Sequence, residues 1–360
     1  MADGPVRVGM LGSGFIAEFY MAGLRAVPAA NVVASASTGS QRGAAFAHRH
    51  GISRVHASIA ALCADPQVDL VVVALPNAAH LEAVLAAAAN GKGVICTKPL
   101  GRNADEAATM LRAVRAAGVF AGYAENSVFS PDLMRVQELV ASGAIGDVLS
   151  IRGREGHSGP HAPHFWEAQE AGGGALLDVG CHSIEDARCL FGKQQRVRDV
   201  FAWGATLAHA ERTRGEDNAV MLMRLEDGRT ALIESSWTAK GGLEVRTEVY
   251  GTAGRMVRDN TSTSLKAFIE QPAGYVAEKS DAETGWVFPV ADEPHVHGYE
   301  EQFRHFIGCF AAGTAPRESF EDGYIVNLIV DAAYRSMRSG HWEPLLADAT
   351  LLATETLVAA

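Results

Sequence analysis

Short apolar runs alternate with helical patterns along the first third of the chain. Five runs are each long enough for one strand, at residues 6–12, 31–37, 68–75, 92–97 and 118–123. Most of them precede Ala-rich stretches with helical periodicity. Strands that alternate with helices form βαβ units, in which consecutive strands are parallel. The pattern therefore predicts a Rossmann-type domain over residues 1–125.

The pattern changes after about residue 125. A helix and a strand are predicted at 130–143 and 147–155, and further strands come as alternating runs between glycine-rich turns, at 218–228, 229–238 and 243–251. Closing helices are predicted at 300–313 and 321–338. The fold class is therefore α/β, with residues 126–360 forming an α+β domain that contains a large, open, mostly antiparallel sheet.

Composition and charge exclude several classes of protein. The net charge of −11 argues against nucleic acid as a partner, because phosphate backbones are bound by basic surfaces. No apolar run reaches the roughly 18 residues of a membrane span, and the first residues lack a signal-peptide pattern, so we expect a cytoplasmic protein with no membrane partner. The five cysteines lack CxxC spacing, which argues against a disulfide framework or a thiolate zinc site.

The first chemical motif is GSGFIA, which follows a predicted strand and opens a helix. Gly12 permits a tight turn, Gly14 lets the backbone approach a pyrophosphate, and Ala17 lets helix and strand pack closely. The alternative is a tight turn that binds no ligand. The motif predicts a dinucleotide site made by six residues: Gly12, Ser13, Gly14, Phe15, Ile16 and Ala17.

The second motif places Lys98 directly after a predicted strand and before Pro99. Ligands of doubly wound sheets bind beyond the carboxyl ends of the strands. Lys98 can therefore lie beside the nicotinamide, where its ammonium would hold a substrate hydroxyl or neutralise an alkoxide. Pro99 can orient the lysine through a cis peptide bond. The alternative is a lysine that extends into solvent.

The third motif, GGGALLDVGCHSIED, covers residues 172–186. Helical periodicity puts Asp178 and His182 at i and i+4, with Glu185 three residues further on, so all three can line one face. An imidazole with a carboxylate one turn away has the parts of a general base and its partner. The alternative is a core helix whose histidine has a purely structural role.

Together these motifs resemble the glucose–fructose oxidoreductase / inositol dehydrogenase (Gfo/Idh/MocA) family. The resemblance also includes PNAAH at 76–80, TKPLG at 97–101 and EDNAVMLMRLEDGRTALIESSWT with YGTAGR within 216–255. It implies hydride transfer between a nicotinamide and a sugar, inositol or related polyol. In the family, Glu usually precedes the lysine, where this chain has Thr97, and Asp often occupies the position of Glu185.

The resemblance also implies roles for individual residues. The implied catalytic group is Lys98, Asp178 and His182. We assign further cofactor contacts to Pro76, Asn77, His80 and Lys98, and substrate contacts to Lys98, Glu125, Asp178 and His182. Two other functions remain open. An NAD-dependent glycosidase would use the same site for transient oxidation of a sugar carbon, whereas a non-catalytic sensor would need only the glycine motif.

The segment between the two predicted domains, residues 154–174, is rich in histidine, glycine and aromatic residues. A polar loop with an aromatic ring against a sugar face is expected, which makes His157, His161 and Trp166 candidate substrate contacts. The imidazoles of His157, His161 and His164, with the carboxylate of Glu155, could instead bind a metal ion, but their irregular spacing argues against it, and we predict no metal site. A solvated loop is the remaining alternative.

The end of the second strand predicts the choice of cofactor. An acidic residue normally stands there and holds the ribose hydroxyls, but this chain continues from Ser37 as TGSQRG. Ser37, Thr38 and Ser40 can donate hydrogen bonds to a 2′-phosphate, and Arg42 can pair with it. We therefore expect NADP(H) to bind better than NAD(H), with use of NAD still possible.

The predicted open sheet also suggests self-association. The runs at 220–225 and 231–237 would expose apolar side chains on any sheet face that no helix covers. The family resemblance implies that such a face is buried between subunits, so we expect a homodimer or homotetramer.

Overall fold

The computed structural model describes residues 4–37, 40–260, 265–271, 284–290, 292–348 and 350–352. Elements are numbered in chain order over these residues. The chain forms two compact units: unit 1 comprises the residues up to 129 together with 298–327, and unit 2 comprises 130–297 together with the residues from 328 onward.

Unit 1 contains a parallel six-stranded sheet. Its strands are β1 (Val6–Leu11), β2 (Ala30–Ala36), β3 (Arg54–His56), β4 (Leu70–Val73), β5 (Gly93–Thr97) and β6 (Ala121–Ala124), in the spatial order β3-β2-β1-β4-β5-β6. The strands connect through helices α1 (Phe15–Arg25), α2 (Ser40–His50), α3 (Ile59–Cys63), α4 (His80–Ala89) and α5 (Ala104–Ala117). The predicted Rossmann-type domain is confirmed.

Unit 2 contains a mixed seven-stranded sheet. Its strands are β7 (Val148–Gly156), β8 (Val197–Ala205), β9 (Asn218–Leu225), β10 (Thr230–Ser236), β11 (Glu244–Gly251), β12 (Gly254–Asp259) and β15 (Glu343–Pro344), in the order β12-β11-β7-β10-β9-β8-β15. Only the pair β7 and β10 is parallel among these neighbours. The predicted, mostly antiparallel sheet is therefore confirmed.

Unit 2 also contains helices and a small hairpin. They are α6 (Pro131–Ala141), α7 (Ala168–Ala171), a π-helical turn (Leu176–Gly180), α8 (Cys181–Phe191) and α9 (Glu293–Val296), with strands β13 (Ala267–Ile269) and β14 (Gly285–Val287). Helix α10 (Tyr299–Ala312) belongs to unit 1, and α11 (Phe320–Ser339) begins in unit 1 and continues into unit 2. No helix of the described residues is long and apolar enough to cross a membrane.

Helix α10 packs on α1, although α1 ends at Arg25 and α10 begins only at Tyr299. The ring of Tyr20 meets that of Phe303 edge-on, with centroids 5.0 Å apart. Gly23 allows this contact, because a Cβ there would lie 2.7 Å from the carbonyl oxygen of Tyr299. Residues 298–327 thus pack within unit 1, whereas the sequence prediction assigned them to the second domain.

The two faces of the unit 2 sheet differ in burial. On β9, Ala219, Met221, Met223 and Leu225 are buried, while Val220 between them is exposed. Large apolar side chains on the exposed side include Phe201 and Trp203, and Trp203 is 50% exposed. The predicted open face is therefore partly apolar in this unit.

Candidate functional site

In unit 1 the predicted cofactor residues follow the carboxyl ends of adjacent strands. The spatial order reverses between β1 and β4, which is where nucleotides bind in doubly wound sheets. Gly12 follows β1 with φ of 115°, and a Cβ there would lie 2.1 Å from the carbonyl oxygen of Ala74. This position therefore requires glycine.

The turn after Gly12 fits a pyrophosphate. Gly14 precedes the first residue of α1 and has no side chain to cap the helix, and an added Cβ there would project into open space. Backbone N–H groups at a helix N-terminus favour an anion. Ala17 is buried against the sheet, Ser13 is buried, and Phe15 is exposed. The absent side chain at Gly14 leaves the cradle that a pyrophosphate would fill.

The end of β2 has no acidic side chain in the described residues. The hydroxyl of Ser37 is hydrogen-bonded to that of Ser13 at 2.7 Å, which links the first two strand ends. Gly43 of α2 packs on Ser37, since a Cβ there would lie 2.9 Å from the Ser37 Cβ. Arg42 is exposed. Thr38 lies outside the described residues, as does the side chain of Ser40.

Lys98 follows β5 directly, and its peptide bond to Pro99 is cis. The buried Tyr20 hydroxyl donates a hydrogen bond of 2.7 Å to Thr97 Oγ1. Burial raises the pKa of Tyr20, and the charges of Lys98 and Glu125 act on it in opposite directions. The partly buried lysine and the buried Glu125 carboxylate therefore both lie near this tyrosine, at the carboxyl edge of the unit 1 sheet.

His80 holds the loop that carries Lys98. Its Nδ1 lies 3.1 Å from the carbonyl oxygens of both Pro99 and Leu100, and its Nε2 lies 2.9 Å from that of Leu75. Burial lowers the pKa of His80, although these carbonyls oppose the shift. Pro76 precedes a short 3-10 turn that begins with the buried Asn77. His80 therefore links the loop after β5 to the end of the segment that follows β4. Its predicted cofactor contact stays a prediction.

In unit 2 the third motif does not form one continuous α-helix. Residues 176–180 make a π-helical turn before α8 begins at Cys181. π-turns are rare and frequently mark functional sites. Glu185 is buried and paired with Arg188 and with Lys193, whose Nζ lies 3.1 Å away. Glu185 is thus paired with one cation on α8, Arg188, and with one just beyond its end, Lys193.

Two acid–imidazole pairs join strand β7 and its extension to the motif. His157 Nε2 lies 3.8 Å from Asp178 Oδ2, and Glu155 Oε1 lies 4.0 Å from His182 Nε2. All four side chains are buried. The backbone N–H of Gly159 donates to His157 Nδ1 at 3.0 Å, so a neutral His157 carries its proton on the nitrogen that faces Asp178.

Asp178 is further oriented by a tryptophan. Nε1 of Trp237 donates to Asp178 Oδ2 at 3.0 Å, and the Trp237 side chain is fully buried. Because the carboxylate receives this donor, its orientation is determined by a rigid ring. An aspartate, two histidines and a glutamate thus form one buried polar group within unit 2.

Trp166 packs on Trp237, the tryptophan that orients Asp178. Its ring packs against that of Trp237 with centroids 5.4 Å apart, and the guanidinium of Arg212 stacks 3.7 Å from its centroid. Its Nε1 donates to the Pro160 carbonyl at 3.2 Å, and only 7% of the residue is exposed. These contacts favour a supporting role for Trp166 over stacking on a sugar ring.

The other two histidines of the segment 154–174, His161 and His164, have different surroundings. His161 is exposed, and the His164 ring packs on Phe165 at 4.4 Å. Among the described residues, His157, His161 and His164 do not belong to any group of three side chains whose metal-ligating atoms lie within 4.8 Å of one another. The substrate contact predicted for His161 stays a prediction.

Comparisons with known proteins identify the family. Residues 6–124 match the profile described as an oxidoreductase family with an NAD-binding Rossmann fold, and residues 133–257 match the GFO/IDH/MocA C-terminal domain. The D-xylose 1-dehydrogenase (NADP(+)) 2 of Haloferax volcanii is 30% identical over 308 residues, covering 85% of this chain and 90% of that protein. The chain belongs to the Gfo/Idh/MocA family.

Other similar proteins agree with this assignment. The myo-inositol 2-dehydrogenase of Thermotoga maritima is 28% identical over 336 residues, covering 92% of this chain and 96% of that protein. The crystal structure of GenD2 from gentamicin A biosynthesis, in complex with NAD, matches with a TM-score of 0.89 and 29% identity over 96% of this chain and 98% of that chain. The predicted membership of the Gfo/Idh/MocA family is confirmed, and with it the prediction of an oxidoreductase.

The structure also brings in side chains that sequence reasoning did not assign to the substrate or cofactor site. Glu155, Trp237 and Tyr20 each touch a predicted site residue or its neighbour. Trp237 and Asp178 are 59 positions apart, and no local spacing signals their contact. The alternation of β7, which puts Glu155 and His157 on one face, was the available signal for Glu155.

Proposed function

We propose that the protein transfers hydride between a nicotinamide cofactor and a hydroxyl or keto carbon of a sugar, inositol or related polyol. The observation that carries this proposal is the buried group of two carboxylates and two imidazoles in unit 2. Relatives named for D-xylose and myo-inositol support the substrate class. Carboxylates and imidazoles are suited to binding adjacent hydroxyls and to moving a hydroxyl proton.

Each residue has a distinct role in this proposal. The His182 imidazole takes the proton of the reacting hydroxyl in oxidation and returns it in reduction. Asp178, held by Trp237, accepts a hydrogen bond from a substrate hydroxyl and orients it. Lys98 stabilises negative charge on the reacting oxygen. The cofactor, held by the turn from Gly12 to Ala17, supplies the hydride acceptor or donor when bound.

We further propose that NADP(H) binds better than NAD(H). The support is the strand end at Ser37, where the described residues offer no carboxylate to repel a 2′-phosphate, together with the exposed Arg42 at the start of α2. One relative is named for NADP(+), whereas GenD2 was solved with NAD. Use of either cofactor within the family is thus consistent with these names, and the preference of this chain must be measured.

The decisive experiment is a screen of sugars, inositols and their keto forms with both cofactors. The reaction is monitored by the absorbance of the reduced nicotinamide. In the active reaction, Lys98→Met should collapse turnover while leaving cofactor binding nearly intact. Lys266→Met removes an exposed lysine and serves as the matched control. Full turnover by the Lys98→Met variant would remove Lys98 from the mechanism, and a lack of activity on every compound would contradict the proposed substrate class.

The glycosidase alternative receives no specific support from the comparisons. It predicts cleavage of a glycoside without net change in cofactor absorbance. A chromogenic glycoside assayed in the same screen separates the two reactions. Release of the chromophore without net cofactor turnover would favour the alternative.

We also propose that the open face of the unit 2 sheet is covered by a second copy of the chain. The support is the row of large apolar side chains on that face, including Phe201, Trp203 and Val220. Exposed apolar patches of this kind mark interaction surfaces. Whether the assembly is a dimer or a tetramer is a matter for sedimentation.

A further inference from the structure

Glu155 is a buried acid that the proposed mechanism has not yet used. It lies near the end of β7, and only 8% of the residue is exposed. Helix α8 packs closely over this face of the strand, because a Cβ at Gly153 would lie 2.8 Å from the Cβ of Ser183. A buried carboxylate is costly unless charged or polar partners compensate it.

One partner of Glu155 is the imidazole of His182. The Glu155 Oε1 and His182 Nε2 atoms are 4.0 Å apart, and both side chains are about nine-tenths buried. At this separation and in a partly buried setting, two opposite unit charges attract strongly enough to change a protonation equilibrium tenfold or more. Asp178 precedes His182 by four residues and pairs with His157 and Trp237, whereas Glu185 and Asp186 of α8 pair with Arg188 and Arg258.

The charge of Glu155 also acts on a buried arginine of β12. Arg258 of β12 donates to Asp132 at 2.8 Å, to Asp186 at 3.1 Å and to the hydroxyl of Ser130 at 3.0 Å. Burial alone would lower the pKa of Arg258, but the charges of Asp186, Asp132 and Glu155 raise it. Arg258 therefore forms ion pairs with Asp132 and Asp186, and Glu155 is a third negative charge in its surroundings.

We infer that Glu155 is a positioning residue for His182, which it orients and whose protonated form it stabilises. The inference rests on the proposed function of His182 as the group that moves the hydroxyl proton. In oxidation the substrate O–H bond breaks, its proton passes to the imidazole, and the hydride from the same carbon passes to the oxidised nicotinamide. Glu155 stays ionised throughout and offsets the positive charge that His182 acquires.

The test is an NMR titration of histidine-labelled protein without substrate or cofactor. The His182 signal is identified by its loss in His182→Gln, and its titration midpoint is compared between the unmodified protein and Glu155→Gln. We expect the midpoint to fall by about one pH unit, a tenfold change in the protonation equilibrium. Glu234→Gln is the matched control, because it removes the same charge from the neighbouring strand β10, where Glu234 pairs with Arg154.

An unchanged His182 midpoint in Glu155→Gln, or an equal fall in Glu234→Gln, would overturn the inference. Where Glu155→Gln does not fold, Glu155→Met provides a second uncharged variant of similar volume and the same criterion. In the active enzyme, the acid limb of the kcat/KM profile should move to lower pH in the variant, and Glu155→Asp should restore part of the shift. A shifted NMR midpoint in a protein that oxidises or reduces no polyol would support the coupling and contradict the proposed function.

Discussion

Replacing Glu216 with glutamine should change how the stability of unit 2 depends on pH. Glu216 Oε1 accepts hydrogen bonds from the Leu176 N–H at 2.9 Å and from the Tyr334 hydroxyl at 3.0 Å, and so holds the start of the π-helical turn that carries Asp178. The backbone at the neighbouring Gly173 packs tightly against Tyr334, since a Cβ at Gly173 would lie 2.0 Å from the Tyr334 oxygen. Glutamine keeps the shape and an acceptor oxygen but cannot ionise.

The sign and size of the effect follow from the pKa of Glu216. Burial raises this pKa to about 7 from its ordinary value of 4.5, against the opposing effect of the hydrogen bonds. Between these two pH values the native state keeps a proton that the unfolded state has lost, so the free energy of unfolding falls as pH rises. The loss is complete above pH about 7 and amounts to roughly 3 kcal/mol, at about 1.4 kcal/mol per pH unit.

Urea denaturation, monitored by tryptophan fluorescence, measures the free energy of unfolding of unit 2. All five tryptophans, Trp166, Trp203, Trp237, Trp286 and Trp342, belong to unit 2, so their emission reports its unfolding. The free energy of unfolding is measured from about pH 5 to about pH 8 for the unmodified protein, Glu216→Gln and Glu170→Gln, which replaces an exposed glutamate of α7. The Glu216→Gln variant should lack the decline that the other two share. Parallel pH profiles for all three proteins would refute the reasoning.

Three further predictions concern the cofactor, the site and the assembly. Arg42→Ala should weaken NADPH binding about tenfold or more and leave NADH binding nearly unchanged in fluorescence titrations, and equal losses for both cofactors would contradict the 2′-phosphate contact. Trp237→Phe removes the donor to Asp178, so we expect unfolding to become easier by about 1–3 kcal/mol in urea and KM to rise, and an unchanged KM would argue against Asp178 as a substrate ligand. Trp203→Glu puts a charge on the open face and should shift the sedimenting species toward monomer at micromolar concentration, whereas a monomeric unmodified protein would contradict the proposed assembly.

The sequence by itself determined the architecture of both units. Alternation of strands and helices predicted the parallel sheet, and strand-like runs separated by glycine-rich turns predicted the mostly antiparallel sheet that contains β9 and β10. Gly12 was predictable because a tight turn after β1 needs a backbone that only glycine adopts easily, and its φ of 115° agrees. These features depend on local periodicity and backbone sterics, which a chain carries in every short window.

The tertiary structure decided where the chemistry of unit 2 is held. Helical spacing placed Asp178 and His182 on one face. It did not predict the π-helical turn between residues 176 and 180. Nor did it predict the contacts made by Glu155, Trp237 and Glu216. Glu155 lies on β7, Trp237 directly follows β10 and Glu216 precedes β9, so these contacts depend on how the strands are ordered in the sheet. Residues 298–327 likewise joined unit 1 because the aromatic side chains of α10 are buried against α1, a contact between segments far apart in the chain.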